Sequence, residues 1–338
     1  MGVKADNTSA SRGLWFGLAA SFGFTALIWI TGSLWLNPPP FAETQLGAIM
    51  PRMWYPWQLA EPTFWTRSSA WLLYGLHQLS IWYLIWRAQS GDYKYSANLH
   101  WFNIAALAVN GVFILLHLVQ THIWYDGLAQ DVPEFTSQAS VVLMLVAILI
   151  MENKRRGMIF GKSLPLSERA TRSIRKYHGF YFSWAILYTF WYHPMEFNPG
   201  HLLGFLYMFL LMLQGSLFFT RVHTNPRWTI FMEAAVVVHG VMIAIVVEHE
   251  WPRFFSGFLA LFVITQMHGL GLSKTARWVI GLGYIAAVAW AYETTKGLSY
   301  AYEAALIPLV EFVLVFIVSL LVLGFTKLLS LRTSPSSA

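Results

Sequence analysis

The sequence predicts an all-α fold, a polytopic integral membrane helix bundle of about ten transmembrane helices, with both termini cytoplasmic and an aromatic outer-face loop or cap. Three observations predict this class. The 338-residue chain is 57% hydrophobic and 11% charged, which is too apolar for a soluble domain. Apolar windows of bilayer length recur along the chain. Lys and Arg are concentrated in alternate connecting segments.

The apolar windows define the predicted elements in order. They lie at 14–36, 70–88, 102–124, 137–152, 177–194, 199–220, 228–249, 254–272, 277–293 and 304–328. Prolines mark several joints, and Trp and Tyr crowd the window ends, as they do at membrane interfaces. We therefore expect a cytoplasmic tail at 1–13, a single transmembrane domain at 14–328 and a cytoplasmic tail at 329–338.

Lys and Arg set the predicted orientation. With a cytoplasmic N-terminus, four of the 22 Lys and Arg residues fall outside, namely Arg52, Arg67, Arg253 and Lys296. The basic segment 153–176 becomes a cytoplasmic loop that contacts lipid headgroups. Topology thus explains the net charge of +6, and we expect no nucleic-acid partner. The expected location is a bacterial cytoplasmic (inner) membrane.

The longest outer segment, 37–69, is predicted to form the cap. It contains three consecutive prolines at 38–40 and the aromatic run Met53-Trp54-Tyr55-Pro56-Trp57. Aromatic side chains of this kind favour the membrane interface over free solution. The segment is therefore expected to lie on the outer surface as an interfacial or re-entrant structure.

Histidine and carboxylate side chains must carry any metal chemistry, because the chain has 11 His and no Cys. At a rise of about 1.5 Å per residue, His77 and His117 both lie about 10 Å below the outer boundary, with His239 slightly deeper. His178 and His268 both lie near the inner face. Ionisable residues at membrane depth are candidates for function, although a neutral His can also be satisfied by a backbone carbonyl.

The depth-matched pairs predict two b-type haems with bis-His ligation. His77 with His117 would hold an outer haem, and His178 with His268 an inner one. His178, His239 and His268 are each followed by Gly, which would let a flat macrocycle approach the backbone. The alternative for each glycine is ordinary helix–helix packing.

His178 and His193 are 15 positions apart, about 22 Å along one helix and on similar sides of it. This spacing resembles that of transmembrane b-type cytochromes, in which one helix supplies a ligand to each of two haems. The chain departs from that pattern because no second helix repeats the spacing. The resemblance is therefore confined to this spacing and does not extend to the whole chain.

A second cluster is predicted at the outer rim. The candidate metal ligands are His122, His193, His201 and His249, and the candidate catalytic carboxylates are Glu248 and Glu250. Mixed His and carboxylate ligands suit a transition metal. A His beside a carboxylate could also accept the protons that a quinol releases on oxidation. The alternative is that these residues are simply hydrated at the interface.

Two further carboxylates, Glu233 and Glu311, lie within apolar windows and are also candidate catalytic residues. Each is expected to act in a proton relay or to pair with a His or Arg. Pro308, close before Glu311, would free backbone carbonyls there.

Three functions follow from these residues. The first is a membrane oxidoreductase that moves electrons through haem b, with quinone or quinol and another redox subunit as partners besides membrane lipid. The second is a membrane metalloenzyme with a His and Glu metal site at the outer face. The third is a proton-coupled transporter that uses Glu233 and Glu311.

Overall fold

A computed structural model describes residues 8–42, 58–246 and 250–333. This part of the chain contains ten α-helices and no β-strand, so the all-α prediction is confirmed. The helices are α1 Ser9–Trp35, α2 Phe64–Gln89, α3 Trp101–Trp124, α4 Glu134–Arg156, α5 Glu168–Tyr192, α6 Pro199–Ser216, α7 Pro226–Val246, α8 Trp251–Ile264, α9 Lys274–Glu293 and α10 Leu306–Thr333. The same described ranges contain three short 3-10 segments, at Leu128–Gln130, Gln266–Gly269 and Leu298–Ala305.

Within the described residues, five helical stretches are long and apolar enough to cross a membrane. They are Ser9–Trp35, Trp101–Trp124, Glu134–Arg156, Pro226–Ile245 and Leu298–Leu328. In lipid every backbone polar group must be satisfied internally, which favours such helices. These helices indicate an integral membrane protein. The count of ten transmembrane helices stays a prediction.

The helix ends differ from the predicted windows where polar residues continue or stop a helix. The helix α2 begins at Phe64 because Thr63 and Thr66 form a reciprocal capping box. The helix α5 begins at Glu168, since the charged residues before the apolar window remain helical. The helix α8 ends at Ile264, so the window predicted to reach 272 closes instead with a 3-10 turn.

The outer segment 37–69 is described only at its two ends. Phe41 and Leu59 form an antiparallel bridge, and Gln58 Nε2 donates to the Ala129 carbonyl at 2.6 Å. Residues 64–69 belong to α2 rather than to a loop. The aromatic run Met53-Trp54-Tyr55-Pro56-Trp57, on which the cap prediction rests, lies outside the described residues.

The helices pack as two compact units. Unit 1 comprises Met1–Val141 and Gly179–Asn225, and there α3 packs against α2 and α6 while α1 packs against α6. Unit 2 comprises Val142–His178 and Pro226–Ala338, and there α8 packs against α7, α9 and α10. A core of Val146, Leu149, Ile150, Met158 and Val315 lies within unit 2.

Candidate functional site: a buried histidine network

A stripe of buried polar side chains runs along α3 in unit 1. Asn103, Asn110 and His117 recur every seven residues and are 0%, 8% and 0% exposed. Seven residues turn a helix through about 700°, so the three side chains share one face. Buried polar groups in an apolar helix need hydrogen-bond partners, and neighbouring segments of unit 1 supply them here.

The middle of the stripe is a chain of directed hydrogen bonds. Trp191 Nε1 donates to His77 Nδ1 at 3.2 Å, so this nitrogen is the acceptor and His77 Nε2 carries the hydrogen. His77 Nε2 then donates to Asn110 Oδ1 at 2.8 Å, and Asn110 Nδ2 donates to Ser216 Oγ at 2.9 Å. Asn103 Nδ2 donates to the Ser216 carbonyl at 2.8 Å. His77 is thus neutral, with both ring nitrogens engaged.

The upper end of the stripe is built differently around His117. Its Nδ1 lies 3.0 Å from Gln120 Oε1, and its Nε2 lies 2.9 Å from the His193 carbonyl. Gln120 Nε2 donates to the Asp126 carbonyl at 3.1 Å and to Ser69 Oγ at 3.3 Å, which orients the Gln120 oxygen toward His117. By this assignment both ring nitrogens face oxygen acceptors, which is the pattern that a doubly protonated imidazole satisfies.

Aromatic rings surround the same side chain. The ring centroid of His117 lies 4.2 Å from Trp191, 5.0 Å from Phe190 and 6.4 Å from Phe205. The faces and edges of these rings exclude water, and the Trp face also attracts a cation through its quadrupole. Burial favours a neutral His117, whereas the two acceptors and Trp191 favour a charged one. Burial and these contacts therefore have opposite effects on the charge of His117.

Carboxyl groups lie just beyond the end of α3. Asp126 is 2% exposed and accepts from the Gly127 amide at 2.8 Å, and burial raises the pKa of Asp126 to about 6. Tyr125 donates its hydroxyl hydrogen to Glu196 Oε1. Burial raises the pKa of Tyr125, and this hydrogen bond raises it further. Gln120 links this end to His117 through the Asp126 carbonyl.

We expect Asp126→Asn to make the thermal stability of the purified protein less dependent on pH. The folded-state pKa of Asp126 is about 6, raised from 3.8, so its contribution is fully present below about pH 4 and is lost as pH rises through about 6. Asn keeps the acceptor for Gly127 without the charge, so the variant should gain up to about 3 kcal/mol at pH 7. Tm measured in detergent from pH 4 to about 8 checks this. A parallel pH dependence in both proteins would contradict it.

The predicted metal ligands are only partly brought together. The ring centroids of His193 and His201 lie 5.2 Å apart, and His201 Nδ1 contacts the Asn198 side chain. His122 Nδ1 lies 2.8 Å from the Leu118 carbonyl one turn back. Among the described residues, no group of three His, Cys, Asp or Glu side chains has a geometry that could hold a metal ion. The predicted members Glu248 and His249 lie outside the described residues.

The predicted haem ligands do not present the geometry of a haem pair. His77 and His117 have both ring nitrogens engaged by protein atoms, so neither offers a nitrogen to iron as placed. His178 Nδ1 lies 2.7 Å from the Arg175 carbonyl on its own helix. His268 lies in the 3-10 turn after α8 instead of within a spanning helix. Haem ligation therefore stays a prediction of the sequence alone.

The glycines that follow three of these histidines contact protein side chains. A Cβ on Gly240 would lie 2.8 Å from the Phe258 ring, and one on Gly269 would lie 3.2 Å from Arg156 Cβ. A Cβ on Gly179 would meet Ile85 at 3.6 Å. The structure thus gives these positions a packing role, which is the alternative to macrocycle binding. His239, on α7, is half-buried beside Gly240.

The predicted catalytic carboxylates of unit 2 have separate environments. Arg156 Nη1 donates to both oxygens of Glu233, at 2.8 and 2.6 Å, so Glu233 is held in a buried ion pair. Lys296 donates to Glu250, and this hydrogen bond holds the pKa of Glu250 below its ordinary value. Glu311 is 2% exposed, and its Oε2 has no hydrogen-bond partner among the described residues.

Sequence reasoning identified His77 and His117 but missed the amides that bind them. Asn103, Asn110 and Gln120 were available as a signal, because they are polar residues within an apolar window and two of them precede His117 at seven-residue steps. By sequence, Trp191 is one of the aromatic residues near the end of a predicted window, which indicates only an interfacial position. Its role as a buried hydrogen-bond donor needed the packing of α5 against α2.

The fold and the site together define a class of protein, a helical integral membrane protein with a buried histidine and amide network in one of its units. Comparison of the chain with protein-family models, with curated proteins and with solved structures found no match.

Proposed function

We propose that the protein is a proton-coupled membrane transporter in which His117 is the residue that binds and releases the proton. The observation that carries the proposal is the placement of both His117 ring nitrogens against oxygen acceptors within an aromatic cage. An imidazole is the side chain whose charge changes most readily near neutral pH. Burying an ionisable group within a candidate membrane span costs free energy, and such groups are therefore candidates for a function.

Neighbouring groups support the transfer of a proton to the end of α3. Protonated His117 donates to Gln120 and to the His193 carbonyl, and neutral His117 leaves one of these oxygens without a donor. Gln120 also contacts the backbone carbonyl of Asp126. Burial raises the pKa of the Asp126 side chain to about 6. Asp126 is therefore the acceptor that the proposal places between His117 and the outer solution. Glu233 has no such role because Arg156 already holds it.

Proton uptake by proteoliposomes tests the function. The purified protein is reconstituted with an internal pH dye, and a potassium gradient with valinomycin makes the lumen negative. Wild-type protein should acidify the lumen faster than protein-free vesicles do. His117→Gln keeps a polar side chain without a titratable group, so uptake should fall by at least about tenfold.

A matched control removes a histidine from the same helix. His100 lies at the N-terminal end of α3, where its Nε2 contacts the Lys94 carbonyl instead of the buried network. His100→Gln should therefore retain the wild-type rate. Equal rates in wild type and His117→Gln would overturn the proposal. A pyridine-haemochrome assay that finds about two haems per chain would instead favour the quinol-linked redox function.

The proposal includes a topology of ten spans with both termini cytoplasmic, in a bacterial inner membrane. Three of the four predicted outer cations lie in the described residues, and each is paired with carboxylates. Arg67 pairs with Asp131 at 3.3 Å, and Arg253 and Lys296 both pair with Glu303, at 2.7 and 3.0 Å. The outer location of these three residues in the proposal rests on the concentration of the other Lys and Arg residues in the alternate connecting segments.

A further inference from the structure

We propose that unit 2 binds a phosphate oxyanion through Arg156, His268 and Arg277. These residues come from the end of α4, the 3-10 turn Gln266–Gly269 and the first turn of α9. The site is independent of the histidine network in unit 1. Its evidence is a set of buried hydrogen-bond donors for which the described residues supply no acceptor.

The first donor is the second guanidinium nitrogen of Arg156. Its Nη1 binds Glu233, whereas its Nη2 is buried without a hydrogen-bond partner in the described part of the chain. The Arg156 side chain is 1% exposed, so water does not readily satisfy this nitrogen. A buried guanidinium donor that lacks an acceptor is costly, and a bound oxyanion would remove that cost.

The second donor is a ring nitrogen of His268. Arg277 Nη1 lies 3.3 Å from His268 Nδ1, and a guanidinium can only donate, so Nδ1 is the acceptor. The hydrogen of the neutral ring is then on Nε2. This Nε2 is buried and makes no hydrogen bond by distance and angle among the described residues, although the Val263 carbonyl lies near the ring and the residue as a whole is partly exposed. The tautomer that Arg277 imposes thus creates a second unused donor.

The backbone brings these donors into one region. A Cβ on Gly269 would lie 3.2 Å from Arg156 Cβ and 3.4 Å from its Cδ, so the Arg156 side chain runs along the residue next to His268. A Cβ on Gly161 would lie 3.3 Å from His268 Nδ1, and the Phe160 amide donates to the Ile264 carbonyl at 2.9 Å. The turn after α4 is therefore packed against the turn that carries His268.

The charge of the region favours an anion. Glu233 neutralises Arg156, and Glu152 pairs with Arg155, whereas Arg277 donates to His268 and to the Leu272 carbonyl. The positive charge of Arg277 thus lies beside the His268 ring. A tetrahedral phosphate offers several acceptor oxygens to donors that arrive from different elements. The chemistry fits both inorganic phosphate and the phosphodiester of a lipid headgroup.

The test measures binding of two probes to the full-length protein in detergent. Inorganic phosphate is followed by the rise in Tm at constant ionic strength, and phosphatidylglycerol is followed by native mass spectrometry against diacylglycerol, which lacks phosphate. Phosphate stabilisation indicates a free anion as the ligand. If the protein retains one phosphatidylglycerol and inorganic phosphate does not raise its Tm, the ligand is a lipid headgroup.

Two substitutions and one charge-matched control locate the site. His268→Phe and Arg277→Gln should each weaken binding of the effective probe by at least about tenfold. Lys274→Gln removes one positive charge from the same turn of α9, where the side chain is exposed, and should leave binding unchanged. Binding of neither probe by the wild type would overturn the proposal. Equal binding by the two substituted proteins and the wild type would also overturn it.

Discussion

Replacing Arg156 with methionine is expected to lower the free energy of unfolding by about 3–5 kcal/mol. Arg156 Nη1 donates to both carboxylate oxygens of Glu233, and the two side chains are 1% and 8% exposed. Methionine has a similar length and no charge, so the Glu233 carboxylate would remain buried without a cation. The measurement is Tm of the purified protein in detergent, with urea unfolding as a second probe.

Two comparisons separate the buried pair from the general basic character of this segment. Arg155→Met removes the neighbouring cation, whose pair with Glu152 is 38% and 26% exposed, and should cost less than about 1 kcal/mol. The double variant Arg156→Met with Glu233→Leu should recover most of the lost stability, since it leaves no buried charge. If Arg156→Met were no less stable than Arg155→Met, the buried pair would have no role in stability.

Substitution of Gly127 by alanine should damage both stability and proton uptake. A Cβ at this position would lie 2.5 Å from the Tyr192 carbonyl oxygen and 3.0 Å from its carbon. The obstacle is backbone, so the end of α5 must move, at a cost of about 1–3 kcal/mol. Tyr192 lies between Trp191, which binds His77, and His193, which binds His117. Tm and the proteoliposome assay should therefore change together.

The same substitution at Gly75 provides the control. Gly75 lies on α2, two residues before His77, and a Cβ there would meet nothing within 4 Å. Alanine should therefore keep uptake unchanged and add up to about 1 kcal/mol through its higher helix propensity. A Gly127→Ala protein as stable and as active as Gly75→Ala would show that the close approach to Tyr192 is absent.

Several features of the fold could be predicted because they depend on local composition. A chain this apolar must satisfy its backbone internally, so its apolar windows become helices, and each predicted window overlaps one of the described α-helices. The helix ends were less predictable. The segment 168–176 contains five charged residues and is still helical, and the helix that should have carried His268 ends at Ile264. Capping residues and packing decide where such helices end, and a hydropathy pattern carries no information about either.

For the site, the sequence by itself determined which residues would be buried in an apolar helix, and His77 and His117 were among them. Only the tertiary structure decided what each one binds. Trp191 and His77 are 114 positions apart, Asn110 and Ser216 are 106 apart, and Arg156 and Glu233 are 77 apart. Helical periodicity fixes the face on which a side chain lies, but its partner depends on which helix packs against that face. The packing then decides whether a buried histidine has a donor at one ring nitrogen and an acceptor at the other, as at His77, or an oxygen acceptor at both, as at His117.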